Sequence, residues 1–326
     1  MPLRVRYIIR LAVPVSVSVL VVLGVEGHTA MGVMEATQIS FGPVGELSPQ
    51  LSPDGLKIAF EYFAAKNDQP KIWVMDRYRG FETARSVVDN ERFNAEFSWS
   101  SDGKWISYIT DVNEEGGSIL IPEIRKVRLS DGHCQRITTP GKWRVLGNST
   151  SWRGDRIVFS DEKNIYAVSA SGGEEAKIVD VQGRVPSAIP LQVRWSPDGR
   201  RLAFTIRHRD SEPSNIWVAN INSNDMVQLT HSGADDFPSW VDNERLVFTR
   251  TVPPTNEDGG TTQNEARVCL VEVKSGSVKC VTSGHIDFTP WVDHKTGELF
   301  VARIAADAVV RSGLVVGFHI WKLRLP

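Results

Sequence analysis

Apolar residues fall in short runs along this chain, and Asp, Gly, Asn or Pro closes each run. One set reads Lys57-Ile58-Ala59-Phe60, Trp105-Ile106-Ser107-Tyr108, Arg156-Ile157-Val158-Phe159, Leu202-Ala203-Phe204, Leu246-Val247-Phe248 and Leu299-Phe300-Val301. A second set follows each of these: Lys71-Ile72-Trp73-Val74, Ile124-Arg125-Lys126-Val127, Asn164-Ile165-Tyr166-Ala167-Val168, Asn215-Ile216-Trp217-Val218, Val268-Cys269-Leu270-Val271 and His319-Ile320-Trp321-Lys322-Leu323. Runs this short, rich in β-branched and aromatic residues, predict strands. No segment after the N-terminal region carries a convincing amphipathic helical period.

The punctuation repeats as well. Ser52-Pro53-Asp54-Gly55, Ser100-Ser101-Asp102-Gly103 and Ser196-Pro197-Asp198-Gly199 precede three of the first-set strands. Degenerate versions stand at Arg153-Gly154-Asp155, Asp242-Asn243-Glu244 and Asp293–Gly297. Pro presets φ for a turn, Asp accepts from nearby N–H groups, and Gly takes positive φ. Six units result, at the roughly 40–50-residue spacing of a propeller blade. The predicted fold is therefore all-β: a six-bladed β-propeller with four-stranded antiparallel blades, covering residues 31–326. Trp99, Trp152, Trp195, Trp240 and Trp291 each stand just before a turn, and are expected to pack between blades.

The last unit lacks its fourth strand. In other units that strand reads Gln135-Arg136-Ile137-Thr138, Val227-Gln228-Leu229-Thr230 and Lys279-Cys280-Val281-Thr282. Ala36-Thr37-Gln38-Ile39-Ser40 has the same pattern, so an N-terminal strand is expected to close the ring and remove an open sheet edge.

Residues 1–30 read as an export signal. Arg4, Arg6 and Arg10 precede an uncharged apolar run, Leu11–Val25, that is short of the about 20 residues of a membrane span. The cleavage site is not clear-cut, so a cleaved signal and an uncleaved N-terminal anchor both remain open. Either places the rest in a periplasmic or secreted setting. The charge is balanced, with 37 basic and 39 acidic residues. That excludes the basic excess of a general nucleic-acid binder. Cys134, Cys269 and Cys280 are too few for a disulfide framework. Cys269 and Cys280 flank a turn and either pair across a hairpin or stay as thiols.

These repeats resemble those of the TolB family. The closest stretch is residues 194–230, with Arg194-Trp195-Ser196-Pro197-Asp198-Gly199, Asn215-Ile216-Trp217-Val218 and Gln228-Leu229-Thr230. The resemblance covers residues 36–326 and does not extend to the α/β domain that precedes the propeller in TolB. It implies a monomeric envelope scaffold that binds a protein partner, such as a peptidoglycan-associated lipoprotein, with no cofactor.

Chemistry is sparse in the sequence. Neither Gly-x-Ser-x-Gly nor His-Glu-x-x-His occurs, and the expectation is a protein without enzymatic activity. The alternative is a propeller enzyme of the sugar lyase or lactonase type with a metal in its channel. Asp235, Asp236 and Asp287, with Asn148, are the candidates for a channel-mouth cluster able to hold a calcium ion. His231 and His285 lie near two of them. The polar loops 252–265 and 111–118 are candidate recognition loops.

Overall fold

The computed structural model describes residues 36–41, 45–64, 69–88, 90, 92–113, 120–139, 150–208, 213–223, 225–252, 265–283, 285–311 and 314–325. Among these residues it is all β and forms the expected six-bladed ring. Blade 1 runs through Gly45–Leu51, Lys57–Phe63, Lys71–Asp76 and Gly80–Ser86. Blade 2 follows with Asn94–Trp99, Trp105–Asn113, Leu120–Arg128 and Cys134–Arg136, and blade 3 with Ser151–Arg153, Arg156–Ser160, Ile165–Ser169 and Ala176–Val179. Blade 4 comprises Ala188–Trp195, Arg201–His208, Ser214–Asn220 and Met226–Gln228; blade 5, Asp235–Trp240, Arg245–Val252, Glu265–Glu272 and Val278–Cys280. Blade 6 takes Asp287–Val292, Glu298–Arg311 and Leu314–Arg324 from the C-terminal end, and its outer strand is Ala36–Gln38.

The repeat turn is held by its own side chains. Ser52 Oγ accepts the Lys57 N–H at 2.9 Å and donates to Asp54, which accepts the Leu56 N–H at 2.9 Å. The same set recurs at Ser100 and Asp102 and at Ser196 and Asp198. The Ser100 hydroxyl and the Lys104 N–H hold the Asp102 carboxyl below the usual carboxylate range. Gly55, Gly103 and Gly199 take φ of 78°, 68° and 71°, a region closed to most side chains.

The Thr that follows the outer strand of blades 2, 4 and 5 also has a mechanical role. Thr138, Thr230 and Thr282 accept the N–H of Ile124, Ile216 and Val268 through Oγ1. Ser40 takes that place in the closing strand, accepting the Ile320 N–H at 2.7 Å. Gln38 and Gln228 match too, each donating to the carbonyl two residues on.

The apolar core lies between blades. Trp99 packs with Ala59, Ile72 and Val74 of blade 1, and Trp240 with Ala203, Ile216 and Val218 of blade 4. Their indole N–H groups donate to Gln50 O and Arg194 O, equivalent carbonyls of the preceding blade. Trp152 and Trp195 occupy the same register position. Trp291 does not. It pairs with Phe300 where Ser239 pairs with Val247, and Val292 takes the position of Trp240. A one-residue offset turns a strand side chain to the opposite face, so Trp291 packs forward, against blade 1.

Cys269 and Cys280 are a register pair of adjacent strands and form a disulfide; Cys134 is free and exposed. The closed loop spans 11 positions, for which loop-closure entropy gives at most about 2–3 kcal/mol. Cys280→Ser should lower the melting temperature by about 5 °C. Dithiothreitol should bring the wild type to the same value in a thermal scan, and an unmoved transition in both would refute a stabilising role.

Candidate functional site

Five inner strands carry a β-bulge at one common place, between Leu47 and Gln50, Ala95 and Ser98, Leu191 and Arg194, Asp236 and Ser239, and Phe288 and Trp291. The first bulged residue is left-handed in every case: Ser48 (φ 55°), Glu96 (φ 54°), Gln192 (φ 56°), Phe237 (φ 57°) and Thr289 (φ 49°). Non-glycine residues in this region each cost on the order of 1 kcal/mol and concentrate at functional sites. The second bulged residue is Pro49, Pro238 or Pro290 in three blades, a position where no ladder donor is needed.

Bonds between blades hold these bulges. The Ser48 N–H donates to Thr289 Oγ1 at 3.1 Å, the Glu96 N–H to Glu61 Oε1 at 2.7 Å, and the Phe237 N–H to Gln192 Oε1 at 2.8 Å. In each case the acceptor belongs to the preceding blade. The bulges thus surround a narrow central channel whose cavity measures about 20 Å³. Glu61, Glu96, Gln50, Arg194, Phe237 and Trp291 are among the residues lining it.

Its electrostatics are unusual. Glu61 is 5% exposed and takes hydrogen bonds from the Glu96 N–H and the Ser48 hydroxyl. Burial and the neighbouring Glu61 carboxylate push the Glu96 carboxyl up to about 8, against the pull of Arg194. Burial raises Glu61 as well. The Arg194 guanidinium stands 6.0 Å from the Trp291 ring centroid and donates to Val193 O at 3.1 Å. Strongly shifted carboxyls in a cleft mark this channel as the functional-site candidate.

The residues expected at the channel mouth lie elsewhere. Asp287 holds Arg303 through two hydrogen bonds, at 2.6 and 3.0 Å, and Asp235 holds Arg250 at 2.7 and 2.9 Å. These two carboxylates are register equivalents; Asp236 is one position on, against Ser214 and Arg207. None of the three lines the channel. Among the described residues no group of three or more His, Cys, Asp or Glu converges to hold a metal. The proposed calcium cluster is corrected on this point: an arginine already faces each aspartate. His231 and His285 are exposed. Asn148, residues 1–30, most of the 252–265 loop and part of the 111–118 loop lie outside the described residues.

Glu61, Glu96, Gln50, Gln192 and Arg194 went unnoticed in the sequence. Regular alternation aims the position of Ala95 and Leu191 at the channel; the bulge moves that place to the next residue, Glu96 and Gln192. The recurrent proline at 49, 238 and 290 was the available signal.

No protein-family profile matches the chain. A curated relative, "Uncharacterized peptidase YuxL" from Bacillus subtilis, is 26% identical over 155 residues. That match covers 48% of this chain and 20% of the relative. The structure of TolB from Acinetobacter baumannii is similar with a TM-score of 0.57 and 21% identity, over 74% of this chain and 55% of that one. Oligogalacturonate lyase from Vibrio parahaemolyticus gives a TM-score of 0.54 and 13% identity, over 86% and 78%. The fold is thus a TolB-like β-propeller. The expectation of a protein without enzymatic activity is overturned, because a relative described as a peptidase and a structurally similar lyase stand beside TolB.

Proposed function

We propose that this propeller is a polypeptide-recognition module of the cell envelope, which receives a segment of its partner at the mouth of the central channel. The observation that carries the reading is the channel's composition: the buried carboxyl of Glu61, the half-buried one of Glu96, an arginine, Trp291 and Phe237 on a collar of strained bulges. Polar groups placed among apolar and aromatic walls are how binding sites fix orientation. The charged N-terminal segment and apolar run of residues 1–30 support export, and the disulfide fits an oxidising compartment. The TolB likeness suggests a peptidoglycan-associated lipoprotein as partner.

The test is cross-linking in the native envelope with wild type and Trp291→Ala. A partner retained by the wild type should fall at least about fivefold in the variant, corresponding to loss of an interface aromatic, at a temperature where circular dichroism shows both proteins folded. Equal recovery of that partner would sink the reading.

A second reading is enzymatic. The YuxL match favours a propeller that handles peptide substrate. Glu96, protonated near neutral pH beside Glu61, has the form of an acid–base pair. Hydrolysis of unstructured peptides by the purified chain, lost in Glu96→Gln, would decide for it.

A further inference from the structure

We propose that the channel binds a primary ammonium group on an aliphatic stem, as in a lysine side chain, with Glu61, Glu96 and Gln50 as its acceptors. The proposal deepens the recognition reading above and rests on it.

Gln50 supplies the first argument. It is 3% exposed and lines the channel. Its Nε2 donates to Phe97 O at 2.8 Å, whereas its Oε1 is buried and has no partner. A buried acceptor left unpaired costs about 1–3 kcal/mol, so a donor from outside the chain is the natural occupant. Glu61 points the same way. Among the described residues its carboxylate has only the Glu96 N–H and the Ser48 hydroxyl as donors. Among the described residues no side-chain donor bonds the Glu96 carboxyl. Acceptors outnumber donors around this space.

Charge is the second argument. Glu61 and Glu96 face one cation, Arg194, whose Nη1 is occupied by Thr150 O and Val193 O. No ion pair within 4.0 Å joins Arg194 to either glutamate among the described residues. With both carboxyls ionised the cluster carries one uncompensated negative charge, which a monovalent guest neutralises. An ammonium brings three N–H donors to three acceptor groups. A divalent ion would put two charges beside Arg194, with fewer protein oxygens than the six to eight that calcium takes.

The walls give the third argument. Pro49, Pro238, Pro290, Phe237 and Trp291 line the same channel. They offer apolar surface to a methylene stem and aromatic faces to its cationic end.

Binding carries a pH signature. The titratable groups facing the site are Glu61, Glu96 and Arg194; the other polar lining groups, Ser48, Gln50, Gln192 and Thr289, keep one state across the range. Glu96 holds its proton up to about 8, and that proton leaves when the ammonium arrives. Affinity therefore rises with pH through this range, by about tenfold between pH 7 and pH 9. It falls again once the amine itself deprotonates, at about 10.4.

Isothermal titration of the purified protein with Nα-acetyl-lysine methylamide tests the proposal. Saturable binding is expected at pH 9, about tenfold weaker at pH 7. The Nε-acetylated probe should bind at least tenfold more weakly than the free amine, a comparison that needs no variant to fold. Methylamine, which stays an ammonium at pH 9 but lacks the stem, should bind more weakly too. Glu96→Gln should weaken binding and flatten the dependence between pH 7 and pH 9; Gln50→Leu should weaken binding and leave that dependence in place. No binding of the lysine probe at pH 9, or equal binding of its acetylated or stemless counterpart, overturns the assignment. If the probe fails while partner capture still depends on Trp291, the recognition reading survives without the ammonium site.

Discussion

Deleting residues 36–40 should lower the melting temperature by roughly 10–20 °C, because these residues close the ring. Ala36, Thr37 and Gln38 pair with Leu323, Lys322 and Trp321. Ile39 donates its N–H to Ile320 O at 2.9 Å and packs against the cluster of Leu51, Phe60, Phe300 and Ile320. Ser40, wholly buried, accepts the Ile320 N–H and donates to Glu46 Oε2 at 3.0 Å. Glu46 also meets His319 Nδ1 at 3.0 Å. Several hydrogen bonds at about 1 kcal/mol each and one isoleucine at about 2 kcal/mol sum to about 5 kcal/mol. For a domain of this size each kcal/mol moves the transition by roughly 2–4 °C. Calorimetry decides it, and an unchanged transition would show that the ring holds without its clasp. The exposed edge should also raise aggregation.

The second large effect is expected at Asp287. Asp287→Ala strands Arg303, whose side chain is 7% exposed, without its anion. Removing one partner of a buried pair costs about 3–5 kcal/mol, or roughly 10 °C here. Asp235→Ala, the register equivalent, should cost less, since water reaches Arg250, whose side chain is 24% exposed. The double variant Asp287→Leu, Arg303→Met should recover most of the loss, because it removes both charges and keeps the volume. If the single variant melts with the wild type, the pair is not the stabilising element it is taken for here. Calcium should leave the wild-type transition unmoved, since Arg303 already satisfies Asp287; a rise would restore the metal reading of this carboxylate.

Much of the ring was legible in the sequence. The Ser-Pro-Asp-Gly turns bond within a few residues, so their chemistry is local, and they punctuate the strands where the pattern says. The closing strand was readable because Gln38-Ile39-Ser40 repeats Gln228-Leu229-Thr230, down to the hydroxyl that accepts a neighbouring strand's N–H. Trp291 packs between blades as expected, but against the following blade, because proximity to a turn is not register. Blade 6 has a longer turn, Asp293–Gly297, and its strand pairs one position off from the other blades.

What the sequence alone determined is the repeat: six strand-and-turn units, their order and the sharing of a blade between the ends of the chain. Those follow from side-chain alternation and turn chemistry, which act over a few residues. The site was decided by tertiary structure. A β-bulge shifts the channel-facing position by one residue, and its left-handed N–H is held by a side chain from the preceding blade. Glu61 and Glu96 belong to different blades, and Arg194 is nearly a hundred positions away in sequence. Only closure of the ring brings them together, and burial there with the Glu61 carboxylate beside it lifts Glu96 to about 8. Asp235 and Asp287 meet arginines instead of a shared ion because strand pairing within each blade sets Arg250 and Arg303 directly across from them.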